Sequence, residues 1–261
     1  ELEGEQCELE MVAGGCDKDC HRRRFKTKLI AMGMCGYDRV LIEPSGIFDM
    51  DEFFDALHEE PLDRWYQIGN VIAVVDAGLD EKMSEEADYI LASEVADAGC
   101  IVLSKTQEAS EKYIENTVKH LNRALEAVHC KRKFGEDEII RKDWEQFETE
   151  DFERILNSGY IAEDYEKMSL DEKEVFKSLY FMDLEISGEE LRDAAQKIMQ
   201  DPACGSVFRI KGFTQEPDGN WTELNATHHE ITQCPIAEGQ KVIIVIGEQP
   251  DEEMIKKYLK A

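Results

Sequence analysis

Side chains able to do chemistry gather at a few places in this 261-residue chain. Near the N-terminus, Gly14-Gly15-Cys16-Asp17-Lys18-Asp19-Cys20-His21 sets one thiol ahead of a second, which an imidazole directly follows. Cys16, Cys20 and His21, with Asp19 beside them, are soft and borderline donors of the kind that suit Zn2+ or another transition metal. Two free thiols on a loop are the alternative reading. Three other places share a form, an apolar and β-branched run that ends in a polar or charged group. Asp38–Glu43 ends in Glu43 and continues into Pro44-Ser45-Gly46; Asn70–Asp76 ends in Asp76; Cys100–Ser104 continues from Ser104 into Lys105-Thr106-Gln107. A second donor group, Thr227-His228-His229-Glu230 with Cys234, reads as part of a strand. A strand sends His228 and His229 to opposite faces, so they do not share one ion. The basic run Arg22-Arg23-Arg24, followed by Lys26 and Lys28, reads as the exposed first turns of a helix, with an acidic partner as the alternative.

The elements that must position these groups follow from period and composition. Asp38–Glu43, Asn70–Asp76 and Cys100–Ser104 are short and nearly continuous in apolar character, as strands buried on both faces of a parallel sheet are. Stretches of helical period surround them, over Phe25–Met34, Asp51–Leu57, Ser84–Ala98 and Glu111–Val128. Strand, polar turn and helix in alternation predict an open α/β sheet. Ligands bind such sheets at the carboxyl ends of the strands, which predicts one rim shared by Glu43, Asp76 and Lys105. From 131 to 177 the chain is highly charged but carries Phe134, Trp144, Phe147, Phe152, Tyr160 and Tyr165, which predicts short helices packed on the main domain. Beyond it, Leu179–Ile186 reads as a strand, Gly188–Gln200 as a helix, Val207–Phe213, Trp221–Ile231 and Lys241–Gly247 as strands, and Asp251–Leu259 as a closing helix. Pro217-Asp218-Gly219-Asn220 predicts a hairpin between the first two of those three strands. The expected architecture is α/β. A partial, doubly wound, mostly parallel sheet occupies 1–130, a charged helical connection 131–177, and a small α+β domain 178–261.

Charge excludes several function classes. With 30 Lys and Arg against 58 Asp and Glu, the net charge is −28, so the surface repels phosphate backbones and anionic membrane. Nucleic acid and membrane are therefore not expected partners. At 42% apolar residues the chain can still bury a real core. Its longest apolar runs, Val71–Val75 and Val242–Ile246, are far too short to span a bilayer. Of the eight cysteines, Cys100 heads a strand-like run and Cys35 lies between Met34 and Gly36. Both read as small buried hydrophobes in a reducing compartment, and a cytoplasmic protein is expected.

Taken in order, Ile42-Glu43-Pro44-Ser45-Gly46, Val74-Val75-Asp76-Ala77 and Leu103-Ser104-Lys105-Thr106 resemble the CobW-like branch of the P-loop GTPases. Val207-Phe208-Arg209-Ile210-Lys211-Gly212-Phe213 and Val245-Ile246-Gly247-Glu248 look like the small C-terminal domain of that family. The resemblance spans roughly residues 9–110 and 178–261. It implies that 1–130 is a GTPase-type nucleotide-binding domain, with GTP and Mg2+ as cofactors. It further implies nucleotide hydrolysis coupled to metal delivery or to maturation of a cofactor protein, the client being a metalloprotein. Glu43 then has the catalytic role, organising Mg2+ or the attacking water, with the backbone of Ser45 and Gly46 beside the phosphates; an ordinary solvated strand-end acid is the alternative. Asp76, Ser104, Lys105 and Gln107 fall at the nucleotide rim. Lys105 matches the lysine of the family's base-recognition motif, whose stem stacks on guanine. Gln107 stands where the family has Asp and offers one carbonyl acceptor in place of two carboxylate oxygens, so selectivity for guanine is expected to relax. Cys16 matches the first thiol of the family's Gly-Cys-x-Cys-Cys metal motif, whereas Cys20 arrives one residue late. No G-x-x-x-x-G-K-[ST] loop occurs in the chain, and the first residue is Glu. Both facts lead to the expectation that the chain starts downstream of the family's phosphate loop and is inactive as it stands. The other class of function is a non-catalytic metal- or protein-binding module on the same scaffold.

Overall fold

The computed structural model describes residues 8–10, 18–44, 50–80, 82–168, 176–216 and 218–260. The chain divides into two compact units, Glu1–Met168 and Ser169–Ala261.

Among the described residues of the first unit, helices α1 (Lys18–Cys35), α2 (Met50–Leu57) and α3 (Leu62–Trp65) precede the sheet. The basic turns of α1 are partly neutralised from within, because Arg22 and Lys26 both hold Glu59. Lys26, then Arg22, keep the Glu59 carboxyl below its ordinary range. Strand β1 (Ile72–Asp76), helix α4 (Glu85–Ala96), strand β2 (Cys100–Ser104), helix α5 (Glu111–Ala127), strand β3 (Ile139–Ile140) and helix α6 (Thr149–Leu156) follow. The three strands are parallel in the order β1-β2-β3, with Asp76 opposite Ser104 at the carboxyl edge. A parallel neighbour requires a crossover, and α4 and α5 are the two crossovers of this sheet. They pack on each other. Ser84 caps α4 by accepting from the Ala87 N–H, and α5 buries Ile114, Thr117, His120, Leu121, Ala124 and Leu125 on one stripe.

Two expectations for this unit change. Asp38–Glu43 is not a strand but part of an irregular stretch, with Leu41 85% exposed. Among the described residues β1 has no partner on its outer edge, and its Val74 is 68% exposed. An apolar run becomes a strand only by pairing with a neighbour, and this run lies off the sheet while the outer edge of β1 stays unpaired among the described residues. The 131–177 region holds helix α6, and it also adds Ile139 and Ile140 to the parallel sheet. A two-residue strand is too short to show a period.

The second unit is an antiparallel sheet of β4 (Phe176–Met182), β5 (Ser206–Gln215), β6 (Trp221–Ala226), β7 (Ile231–Ile236) and β8 (Val242–Glu248) in the order β4-β8-β5-β6-β7. Helices α7 (Gly188–Gln200) and α8 (Glu252–Leu259) share its core, in which Leu191, Ile198, Ile210, Leu224, Val245 and Ile255 are buried. Ser187 and Glu190 form a reciprocal capping box at the start of α7. The expected β5–β6 hairpin is present. The expected single strand Trp221–Ile231 is instead two strands. The chain reverses over Thr227–Glu230, where the Thr227 N–H donates to the Glu230 carbonyl at 2.8 Å. The polar run Thr-His-His-Glu is turn chemistry, and apolar flanks on both sides hid the reversal.

Candidate functional site

Asp76 ends β1 and Lys105 directly follows β2. Because the strands are parallel and in register, the two residues emerge side by side, and Lys105 Nζ lies 2.9 Å from Asp76 Oδ2. The other carboxylate oxygen of Asp76 accepts from the Gly78 N–H at 2.8 Å and closes a tight turn after the strand. Each member of the pair keeps about a third of its side chain in solvent, 35% for Lys105 and 30% for Asp76. The contact therefore orients the lysine more than it stabilises the fold. Lys105 has φ of 55°, in the left-handed region that non-glycine residues seldom occupy. The Glu108 N–H donates to the Lys105 carbonyl at 3.0 Å and holds that turn. Ser104 is tied to the neighbouring strand, its main-chain oxygen accepting from Ala77 at 2.9 Å and its hydroxyl donating to Val75 O at 3.3 Å. Gln107 is exposed on the loop that follows. An ammonium clamped at its tip, with its aliphatic stem partly open on a sheet rim, offers a flat apolar surface and a fixed positive charge.

Of the residues expected on this rim, the structure thus brings together Asp76, Ser104 and Lys105, with Gln107 two residues beyond. Glu43 lies in the exposed irregular stretch outside the sheet and forms no hydrogen bond or ion pair with other described residues. Ser45, Gly46 and Cys16 lie outside the described residues. Cys20 and His21 belong by backbone to the start of α1, and their side chains are outside the description too. Among the described residues no group of three or more His, Cys, Asp or Glu could hold a metal ion. His228 and His229 sit on the β6–β7 turn, both exposed. Cys100, Cys130 and Cys204 are buried and free, as small hydrophobes are. Cys35, expected to be buried, is exposed because α1 ends there in solvent. Among the described residues no helix is long and apolar enough to cross a membrane.

Two groups that sequence reasoning passed over lie behind the rim. Thr117 donates from its hydroxyl to Ala77 O at 2.8 Å, and the His120 ring contacts Asp80 O and the Asp88 carboxylate. The only signal for them in the sequence is their position on the buried stripe of α5, where polar residues need partners.

No curated protein matches the chain by sequence. Among solved structures, the Zn(II)-bound YjiA GTPase from E. coli is similar at a TM-score of 0.36 and 18% identity, over 95% of this chain and 77% of that one. A Zn(II)-bound triple mutant of the same GTPase gives the same values. The sequence profile described as CobW/HypB/UreG, nucleotide-binding domain, matches residues 2–134, just over half of the chain, and includes the whole β1–β2 rim. The chain belongs to the CobW/HypB/UreG family of nucleotide-binding P-loop GTPases.

Proposed function

We propose that the rim formed by Asp76, Ser104, Lys105 and Gln107 receives the base of a purine nucleoside triphosphate, and that hydrolysis of this nucleotide drives metal delivery or maturation of a cofactor protein. Family membership supports the nucleotide. The observation that carries the choice of rim is the 2.9 Å Asp76–Lys105 contact at the carboxyl edge of the parallel sheet. Lys105 supplies its stem as a stacking surface and its ammonium as a cation near the ring. Gln107 presents either a carbonyl or an NH2, so adenine leaves no buried charge unpaired and is rejected weakly.

Glu43 carries the catalytic assignment, with Ser45 and Gly46 flanking the phosphates. Its carboxylate is exposed and without a partner among the described residues, and it is a hard oxygen donor of the kind Mg2+ takes. Bound there, the ion would neutralise charge developing on the transferred phosphoryl group. The transition metal is cargo in this reading, taken up by Cys16, Cys20 and His21 and passed to a client metalloprotein.

The test uses the product of the complete reading frame and fluorescent GTP and ATP analogues. Lys105→Ala is expected to weaken both nucleotides by about tenfold, the scale of a lost stacking contact. Wild-type affinities for GTP and ATP are expected within about tenfold of each other, a gap of ~1.4 kcal/mol. Unchanged affinity in Lys105→Ala would move the base elsewhere.

A further inference from the structure

His120 is 2% exposed, and both of its ring nitrogens are engaged. Nδ1 lies 2.8 Å from the main-chain oxygen of Asp80, and Nε2 lies 2.6 Å from Asp88 Oδ1. A carbonyl oxygen can only accept, so Nδ1 carries a proton and donates to the loop that follows β1. Nε2 meets the Asp88 carboxylate on α4, so the ring bridges α4 and that loop through both of its nitrogens. Thr117, three residues earlier on the same face of α5 and 1% exposed, donates to Ala77 O in the same loop.

Two buried side chains of one helix thus hold the main chain of Ala77 and Asp80, on either side of Gly78. Gly78 is the residue whose N–H fixes the Asp76 carboxylate, and that carboxylate holds Lys105. Among the described residues, the other main-chain bonds of this loop run from Ala77 N–H to Ser104 O and from Leu79 N–H to Asp76 O, and the second is internal to the turn.

We infer that His120 and Thr117 are positioning residues for the nucleotide rim. They act through the loop 77–80 on Asp76 and, through it, set where the Lys105 ammonium stands. The inference rests on the reading of Lys105 as the base-binding lysine. Neither residue touches the nucleotide, so the effect is expected in affinity, with little in turnover of bound nucleotide.

The two bonds of His120 can be separated. In His120→Asn the amide nitrogen falls near the place of Nδ1 and keeps the donor to Asp80 O, while the bond to Asp88 is lost. In His120→Gln the amide reaches the place of Nε2 and keeps Asp88, while the loop is released. Thr117→Ser keeps the hydroxyl, and Thr117→Val removes it with little change of shape. On the product of the complete reading frame, three quantities are read: thermal midpoint, amide hydrogen exchange over 77–80, and GTP affinity with Lys105→Ala alongside. The expected result is faster exchange over 77–80 and roughly tenfold weaker GTP in His120→Gln and Thr117→Val. His120→Asn and Thr117→Ser are expected within about twofold of wild type in affinity, whatever their midpoints. If affinity follows the thermal midpoint across the four variants, whichever bond is kept, both residues are merely structural and the inference falls. If the loop variants speed exchange but leave affinity unchanged while Lys105→Ala weakens it, the inference again falls and the base site stands. If Lys105→Ala itself has no effect, the base site is wrong and the inference is overturned with it.

Discussion

Glu94 shows how far burial alone can move a group in this chain. It lies in α4, in a run where Leu91, Ala92, Ser93, Val95 and Ala96 are all buried, and desolvation pushes its carboxyl up to about 8. The unfolded chain releases that proton near the ordinary value of 4.5, whereas the folded chain keeps it to about 8. Between those values the unfolded state binds fewer protons, so this group lowers stability as pH rises and the loss is complete above the upper one. Glu94→Gln is expected to match wild type near the lower value and to be more stable at the upper one. The advantage is on the order of 2–4 kcal/mol. Denaturant melts at several pH values check this, and a pH-independent difference would mean that the carboxyl is solvated. Asp76 and Lys105 remain about one-third exposed, which leaves them open to a ligand and gives their ion pair little weight in stability.

At the scale of elements, the glycines of β5 and β8 explain two short motifs that the sequence displayed without a reason. A Cβ on Gly212 would lie 2.4 Å from Leu191 Cδ2, and Leu191 is fully buried in the first turn of α7. A Cβ on Gly247 would meet Ser206 O at 2.5 Å, a backbone atom that cannot rotate away. Gly212 thus lets α7 approach the sheet, and Gly247 lets β8 pass close to β5 beside the irregular register between Val207 and Arg209. Gly212→Ala is expected to lower stability by about 1–3 kcal/mol through overpacking against Leu191. The double variant with Leu191→Ala is expected to lose less than the sum of the two single changes, because the smaller side chain removes the collision. Chemical denaturation of the four proteins completes that cycle, and strict additivity would show that the two positions do not touch.

For the molecule as a whole, a net charge of −28 dominates. Ion pairs such as Lys211–Glu223, Lys142–Asp151 and Lys241–Glu185 relieve it locally, but they are exposed or partly so, and acids outnumber bases about two to one. Self-repulsion among the excess carboxylates therefore opposes the compact state at low salt. Raising ionic strength from about 0.01 M to about 0.15 M shortens the screening length from roughly 30 Å to roughly 8 Å. The denaturation midpoint of the chain is expected to rise over that interval. A fall would mean that attractive pairs outweigh the repulsion.

Much of this protein was legible in its sequence because the information is local. Cys100–Ser104 is a strand because five adjacent residues carry a pattern suited to burial in a parallel sheet, and Gly188–Gln200 is a helix because its capping box and apolar stripe lie within its own length. The parallel register then places Asp76 beside Lys105, so those members of the rim followed from strand order. What tertiary structure alone decided involves a distant partner. Asp38–Glu43 has the composition of a strand, but a strand exists only when paired, and composition carries no record of whether a run meets a sheet edge in the folded chain. Ile139 and Ile140 became strand by the converse, since β2 offered an edge to two residues too few to show a period. His120 looked like an ordinary histidine on a helix. Its role arises where the folded chain brings Asp80 O and the Asp88 carboxylate to its two nitrogens, and a buried imidazole needs a polar partner at each.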